Sequence, residues 1–281
     1  MLTVLGRAAS IGSRAVGLAL LLSLGSSRCA TAPPVPSAVP TRPLRSATLD
    51  EVLAAYDGYC KGIETLSASG DLDVRDLRAG RSQKLGVRVV ASRGGRLYLK
   101  GSVAVVTALE IVSNGERFWF QVPSKKTVWT GDATGAPQPE ADQPPYQSLR
   151  PRDITTALLP ERLEPAAGES LILEADRLTF ALTLARLSGG RGFAVRRVWL
   201  TRETLLPIRV RSYDEQGDLV SEVSLGAWRD GTPRSVEILR QSQGYEASFT
   251  FSKVDTNVAA PEKAFAPRRT PDGYRVVEVR H

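Results

Sequence analysis

The stretch "LEIVSNGERFWFQVPSKKTVWTG", residues 109–131, carries alternating apolar and polar residues on either side of Asn114–Gly115. An Asn-Gly pair between such runs indicates a β-hairpin, because both residues readily adopt the positive φ angles of tight hairpin turns. The same period of two recurs through most of the chain from Leu72 onwards. It is interrupted at further turn-forming pairs: Gly189–Gly190, Gln216–Gly217 and Gln243–Gly244. Because short connections favour antiparallel neighbours, the sequence predicts a long antiparallel β-sheet.

Two helices are predicted beside this sheet. Residues 48–66 have apolar side chains at three- and four-residue steps, Thr48 and Glu51 have the spacing of a capping box, and Ser69–Gly70 is expected to end the helix. A shorter helix, Asp153–Leu159, lies within the proline-rich stretch 131–165 and is expected to form a flap over one face of the sheet. The predicted fold class is α+β: a curved antiparallel sheet, an N-terminal helix and a helix-bearing flap.

The N-terminal residues have the composition of an export signal. Arg7 and Arg14 precede an uncharged apolar run of ten residues, 15–24, and small residues follow it. The run is too short to cross a membrane, which takes about 20 residues. Residues 1–28 are therefore predicted to be a signal peptide. Residues 29–45 are rich in proline and are predicted to be an extended tether, and residues 46–281 are predicted to form the folded domain.

Few residues are suited to catalysis or metal binding. The one histidine is the final residue, His281, and the two cysteines are Cys29 and Cys60. A histidine-dependent hydrolase and a histidine- or thiolate-ligated zinc site are therefore disfavoured. The carboxylates mostly alternate with apolar residues, as on solvated strand faces, and Cys60 is interpreted as a small buried hydrophobic residue. No catalytic residue, metal or cofactor is predicted, and the protein is not expected to be an enzyme.

The net charge does not identify a partner. It is +7 for the whole chain and +4 without residues 1–28, and the positive residues are spread along the sequence. A nucleic-acid-binding protein would concentrate them in a stripe, so no nucleic acid partner is predicted.

Several strands are more apolar than a half-exposed sheet requires. Examples are residues 103–106 and 118–120, and four tryptophans lie in or beside strands. Two interpretations stay open at this point. The surplus side chains could fill an ordinary core against the first helix, or they could line a cavity suited to acyl chains.

The chain resembles the LolA/LolB superfamily of bacterial lipoprotein-handling proteins over residues 46–281. The similar segments are "SASGDLDV", "GVRVVASRGGRLYLKG", the stretch quoted first, "LPIRVRSYDEQGDLVSEVSLGAWR" and "FTFSKVDTNVAAPEKAFAPRRTPDGYRVVEV". The resemblance implies an unclosed half-barrel, with helices plugging its open side, that encloses an apolar cavity for acyl chains. It also implies binding and transfer without chemistry, and an arginine that bonds to the lid backbone and times cargo release. No single arginine of this sequence matches that one.

The resemblance leads to two sets of site residues. An exposed apolar loop of the LolB-like receptor, which helps to place cargo in the membrane, corresponds to Val103, Val105 and Val106. The residues expected to line the acyl-chain cavity are Leu97, Leu99, Ile111, Trp119, Trp129, Leu182, Trp199 and Ile208. A register error of one residue would turn any strand's set to the other face.

The location of the protein depends on how the chain is processed near Cys29. It follows the apolar run at the distance of a lipoprotein signal, which predicts acylation with palmitate and an anchor at the periplasmic side of the outer membrane. Cleavage after Ser27 would instead release a soluble periplasmic protein. The leading prediction is thus a monomeric, non-enzymatic outer-membrane lipoprotein that binds acyl chains in lipoprotein or lipid trafficking. The alternatives are a periplasmic sensor or assembly factor that uses the fold for protein interaction, and a hydrolase.

Overall fold

The structure is a computed structural model that describes residues 43–135, 145–188 and 190–279. The predicted signal peptide, Cys29 with most of the tether, and His281 lie outside these residues. The helices are α1, Leu49–Gly62, and α2, Pro151–Leu158, with short 3-10 helices at Pro123–Lys125, Pro145–Ser148 and Glu262–Ala264. The strands are β1 Thr65–Asp76, β2 Arg81–Ser92, β3 Arg96–Val103, β4 Val106–Asn114, β5 Arg117–Val122, β6 Thr127–Asp132, β7 Glu169–Ala175, β8 Thr179–Ser188, β9 Arg191–Thr201, β10 Pro207–Tyr213, β11 Leu219–Gly226, β12 Ser235–Arg240, β13 Tyr245–Thr256 and β14 Arg275–Val279.

In the described part of the chain these strands form one sheet of 14 strands. Strands β1 to β6 and strands β7 to β13 are two antiparallel meanders, and pairing of β1 with β13 joins them. Strand β14 is added at one edge, parallel to β6, and β7 forms the other edge. The two edges do not pair, so the sheet is an unclosed, antiparallel-dominated half-barrel with two helices. The predicted α+β fold class is confirmed.

Three of the four predicted hairpin turns are present among the described residues and depend on left-handed backbone conformations, whereas Gly189 of the fourth, Gly189–Gly190, lies outside these residues. Gly115 lies between β4 and β5 with φ 100°, and the Asn114 side-chain oxygen accepts hydrogen bonds from the amides of Glu116 and Arg117. Gly217 and Gly244, with φ of 86° and 76°, lie in the turns after β10 and β12. A residue with a Cβ would be strained at these positions, so the glycines specify where the strands reverse.

The first helix begins as predicted and ends early. Thr48 and Glu51 form a reciprocal capping box, but α1 stops at Gly62 and β1 starts at Thr65. The Asn257 side chain accepts a hydrogen bond from the Glu64 amide at 2.9 Å and donates one to the Gly62 carbonyl at 2.7 Å. The prediction of a helix to Leu66 was therefore wrong. A side chain from the end of β13 bonds the turn here, and the backbone beyond it pairs with β2 and β13.

The two helices cover one face of the sheet, here called the inner face. From α1, Val52, Tyr56 and Cys60 are buried, and from α2, Ile154 and Leu158 are buried. These side chains join those that point inward from the strands in one continuous apolar core. Helix α2 contacts strands β2, β3, β4 and β12, so it bridges the two meanders across the inner face.

The C-terminal segment crosses the opposite, outer face before it reaches β14. Arg96 lies over the ring of Phe265 at 4.4 Å, and Arg268 lies over the ring of Tyr98 at 5.5 Å. Arg268 also donates to Glu110 at 3.2 Å. This crossing lets the last strand pair in parallel with β6, which the sequence pattern did not predict.

Candidate functional site

The predicted cavity residues separate into two groups in the structure. Five lie in the buried core of the inner face, where α1 and α2 cover the sheet: Leu97, Leu99, Ile111, Trp129 and Leu182. Trp129 packs edge-on against Phe120, with ring centroids 6.0 Å apart. These five side chains pack against other protein side chains, so in this structure they form core and do not line an open cavity.

The structure places the other three predicted cavity residues outside the inner-face core, contrary to the prediction. Trp119 and Trp199 lie on the outer face, because Phe118, Phe120 and the neighbours of Trp199, Val198 and Leu200, take the inner positions. Since successive side chains of a strand point to opposite faces, an error of one residue reverses the assignment. The third, Ile208, is half-buried at a register shift in β10 and is not part of the core cluster.

Outer-face contacts explain the partial burial of both tryptophans. Trp119 lies beside Arg268 and Arg269 of the C-terminal segment. Trp199 is surrounded by three arginines whose guanidinium carbons are 5.0, 5.3 and 5.9 Å from the ring centroid: Arg197, Arg211 and Arg209. Arg211 bonds to Glu222 and Arg197 to Glu174, so these cations are already paired. This cluster therefore stabilises the outer face of the second meander.

The inner face has an open cleft elsewhere, between α2 and strands β9 to β12, which we call the α2 cleft. Its volume is about 300 Å³. The lining residues come from α1, α2 and its flanks, and the four strands: Tyr56, Thr134, Arg150, Arg152, Asp153, Thr156, Ala157, Pro160, Glu161, Arg196, Val210, Ser212, Val220, Ser221, Val223, Leu225, Ile238 and Arg240. None of the predicted cavity residues is among them, so sequence reasoning missed this site.

The floor of the α2 cleft is built from cross-strand rows. Val198, Val210, Val223 and Ile238 are paired in register across β9, β10, β11 and β12, which places four aliphatic side chains in one row. The last three of them line the cleft, whereas Val198 is fully buried. Leu225, paired with Val236, extends the apolar surface. A line of β-branched side chains on one face presents a continuous apolar strip. Their alternation with outer-face residues was visible in the sequence, but their pairing was not.

The start of α2 is held to the sheet by a buried ion pair. Arg240 of β12 donates two hydrogen bonds to the Asp153 carboxylate, both 2.7 Å, and the two side chains are 10% and 11% exposed. The Tyr245 hydroxyl donates to the same carboxylate at 2.5 Å. Burial, followed by the Asp153 charge, raises the pKa of Tyr245 well above its usual value, so this hydroxyl stays protonated as a donor.

The end of α2 is held by a single arginine. Arg93 follows β2 and donates to the carbonyls of Leu159 at 3.0 Å and Pro160 at 2.7 Å. It also donates to the carbonyl of Ile63, at 3.1 Å, and to that of Cys60, so one guanidinium joins the C-terminal ends of both helices. The last carbonyls of a helix lack intrahelical partners, and Arg93 satisfies them. Its acceptors are 30 to 67 residues away in sequence, so no local signal could have identified it.

Cys60 occupies the buried side of α1 near this junction. Burial raises the pKa of its thiol to about 11, which keeps it protonated and unreactive at neutral pH. The interpretation of Cys60 as a small buried residue agrees with its exposure of 1%.

The hairpin between β3 and β4 has an exposed apolar tip. Val103, Val105 and Val106 are 47, 96 and 68% exposed, and Ala104 between them has a φ of 51°. A non-glycine residue in that region costs energy. The three valines lie together at the surface: Val103 ends β3, Val106 begins β4 and pairs with it, and Val105 lies in the turn between them.

The described residues hold neither a cluster of metal ligands nor a helix suited to crossing a membrane. No group of three or more potential metal ligands occurs among residues 43–135, 145–188 and 190–279. Within the same residues, neither helix has the length and apolar character needed to cross a membrane.

The fold and the cleft together define a half-barrel with a helix-covered inner face and an amphipathic opening at the α2 cleft. In overall fold, at low sequence identity, the structure is similar to LolA superfamily protein NE2245 from Nitrosomonas europaea. The TM-score is 0.49 and the identity 12%, and the match covers 79% of this chain and 99% of the other. It is also similar to a DUF1329 family protein from Desulfovibrio piger, with TM-score 0.49, 16% identity and coverage of 76% and 97%. A third is a putative outer membrane lipoprotein-sorting protein domain from Vibrio parahaemolyticus, with TM-score 0.46, 13% identity and coverage of 76% and 95%. No protein-family model and no curated protein sequence matches the chain.

Proposed function

We propose that this protein binds acyl chains of lipids or lipoproteins in the α2 cleft and hands them on without making or breaking a bond. The observation that carries the proposal is the apolar floor formed by Val210, Val223, Leu225 and Ile238 beneath an opening of about 300 Å³. Small-molecule sites are typically concave and mostly apolar, with a few polar groups at defined positions. An acyl chain matches this lining because its contact with the valines removes apolar surface from water.

The charged groups of the cleft support binding over catalysis. Asp153 and Arg240 bond to each other, and Arg196 bonds to Glu161 at 3.1 Å. Groups engaged in this way are positioned to hold α2 and to shape the opening. The proposal therefore assigns no general acid, base or nucleophile to the site.

Arg93 holds the flap in this proposal. Its hydrogen bonds to Leu159 and Pro160 fix the end of α2 over the inner face, and those to Cys60 and Ile63 fix the end of α1. A ligand longer than the cleft would need α2 to move away from the sheet. Breaking the Arg93 bonds would then be coupled to loading, and their re-formation would favour release.

Filling the cleft tests the proposal directly. We expect Val223→Trp to weaken binding of a fluorescent fatty acid and of a fluorescent lipopeptide at least tenfold, because the indole would occupy the floor of the cleft. Fluorescence titration of the purified domain measures the affinity. Val276→Trp is the matched control, since Val276 is 54% exposed on the edge strand β14. Equal affinity of the Val223 variant and the unaltered protein would contradict the proposed site, and no binding of either probe by the unaltered protein would contradict the proposed function.

We further propose that the protein is exported and acylated at Cys29, which would leave the domain tethered at the periplasmic face of the outer membrane. The sequence pattern of residues 1–29 and the proline-rich residues that follow support this location. Mass spectrometry of the mature N-terminus is expected to show a diacylglycerol- and palmitate-bearing Cys29. The Cys29→Ser variant is expected to lack that mass and to leave the membrane fraction. An unmodified N-terminus at Arg28, produced by cleavage after Ser27, would instead identify a soluble protein.

The apolar hairpin tip is proposed to enter the lipid surface. Val105 is 96% exposed, so Val105→Asp should leave the folded protein's stability unchanged. Its association with lipid vesicles is expected to fall about tenfold, because the charged side chain removes the gain from burying a valine, about 1.5–3 kcal/mol. Vesicle co-sedimentation of the domain lacking its anchor measures this. The control is Val276→Asp, which changes another exposed valine, and an equal loss in both variants would argue against a specific role of the tip.

A further inference from the structure

We infer that the α2 cleft selects anionic amphiphiles, with the acyl chain on the valine row and a carboxylate or phosphate head group at the arginines beside it. This inference rests on the proposed function and names the class of ligand. It comes from the arrangement of polar groups in the cleft, which is separate from the apolar floor that supports acyl-chain binding.

The polar groups form a row of their own, two residues along each strand from the valine row. Arg196 of β9 is paired with Ser212 of β10, and Ser212 is paired with Ser221 of β11. Arg240 lies two residues beyond Ile238 on β12, on the same face. Because side chains alternate with a period of two, this row lies on the inner face directly next to the valine row. The cleft thus changes from aliphatic to polar in a single step along the strands.

The charge of the lining is unbalanced. Four arginines line the cleft, at positions 150, 152, 196 and 240, against two carboxylates, Asp153 and Glu161. Asp153 is paired with Arg240 and Glu161 with Arg196. Two positive charges, those of Arg150 and Arg152, are left over at the start of α2, where the polar row ends.

These two arginines have unused hydrogen-bonding capacity. Arg150 donates one hydrogen bond to the Gln243 side chain at 2.6 Å, while its Nε is buried without a partner. Arg152 is exposed at the cleft, and no ion pair of its side chain occurs within the described residues. A buried N–H group without a partner is costly. The exposed guanidinium of Arg152 is directly accessible to an anion in the cleft. Guanidinium groups bind carboxylate and phosphate with two parallel hydrogen bonds, which suits either head group.

The two serines add neutral donors between the cations. Neither the Ser212 nor the Ser221 hydroxyl takes part in the side-chain hydrogen bonds of the described residues, and both line the cleft. A head group placed over the two serines would lie between Arg196 and Arg240. It would also lie within the electric field at the N-terminal end of α2. Its attached chain would then follow the strands onto Val210 and Val223.

Three ligands with the same twelve-carbon chain test this inference: laurate, dodecyl phosphate and neutral monolaurin. Isothermal titration calorimetry of the domain at low salt, below the micellar concentrations, measures each affinity. We expect laurate or dodecyl phosphate to bind about tenfold more tightly than monolaurin, the gain expected for one charge-assisted contact. The tighter of the two charged ligands identifies the head group.

Two variants test whether Arg152 causes the tighter binding of the charged ligands. Arg152→Gln, at an exposed position, is expected to lower the affinity for the charged ligand about tenfold and so to remove the preference over monolaurin. Arg88→Gln, an exposed arginine on β2 away from the cleft, is expected to retain it. Equal binding of charged and neutral ligands by the unaltered protein, or an equal loss of both in Arg152→Gln, would overturn the inference and leave the proposed function standing. Failure of all three ligands to bind would contradict the proposed function itself.

Discussion

Replacing Asp153 by alanine is expected to lower the free energy of unfolding by about 3–5 kcal/mol. The substitution leaves the Arg240 guanidinium, whose side chain is only 10% exposed, without its carboxylate partner. It also removes the acceptor of the Tyr245 hydroxyl. The cost is large because an unpaired charge then stays buried between α2 and the sheet. Urea denaturation of the variant and the unaltered domain measures the difference.

The double variant Asp153→Ala with Arg240→Met separates the loss of the pair from the penalty of the orphaned charge. It is expected to recover a substantial part of the lost stability, because methionine keeps apolar contacts and needs no partner. Tyr245→Phe serves as the mild comparison and should cost about 1 kcal/mol, the value of one hydrogen bond. If the double variant is no more stable than Asp153→Ala, the buried charge is not the cause of the loss.

Replacing Arg93 by methionine is the second large effect, an expected loss of about 3 kcal/mol. Four backbone carbonyls lose their donor at once, two at the end of α1 and two just after α2. These carbonyls are partly shielded from water, so solvent replaces the lost hydrogen bonds incompletely. Hydrogen exchange should show faster exchange of the amides in the last turns of both helices, because these turns open locally, whereas exchange of the core strands should rise only with the loss of global stability.

The controls for Arg93 use the chemistry of its side chain. Arg93→Lys keeps the charge but cannot present the planar fork to four acceptors, so it should restore stability only in part. Arg88→Met, on the exposed face of the preceding strand β2, should change stability by less than about 0.5 kcal/mol. Full stability of Arg93→Lys would show that charge alone holds the helix ends, and unchanged exchange in Arg93→Met would show that the helices are held by packing.

Both variants also bear on the cleft, since α2 forms its wall. The Asp153 pair holds the start of this helix and Arg93 holds its end, so the α2 cleft stays narrow only while both are intact. Loosening α2 is expected to change ligand affinity even though Arg93 does not line this cleft. A change in acyl-chain affinity in Arg93→Met would therefore connect the flap to ligand binding.

Local sequence patterns predicted the secondary-structure elements well. The Asn114–Gly115 turn, the Thr48–Glu51 capping box and the short helix of the flap all depend on neighbours within a few residues, and all are present. The end of α1 was misplaced because Asn257, which bonds the turn after Gly62, is almost two hundred residues away. The apolar periodicity up to Leu66 is compatible with a helix or with the start of β1, and pairing with β13 decided between them.

The site was predicted less well than the fold, for the same reason. Trp119 and Trp199 were expected to face a cavity because they are large and apolar, yet Phe118 with Phe120, and Val198 with Leu200, hold the inner positions. Leu97, Leu99 and Ile111 were expected to line a cavity, and they lie in the core of strands β3 and β4, which α2 contacts. Which part of a sheet remains open depends on where the covering helices come to lie, and residue type does not report it.

By itself, the sequence determined the α+β class, the antiparallel strands and the positions of most turns. These follow from alternation and from residues with special backbone preferences, which act over a few bonds. The tertiary structure alone decided the pairing of β1 with β13, the Asp153–Arg240 pair and the Arg93 hydrogen bonds that hold α2, and the cleft beneath this helix. Each of these joins residues far apart in sequence, and their energies come from burial, register and hydrogen bonds that exist only after the chain has closed on itself.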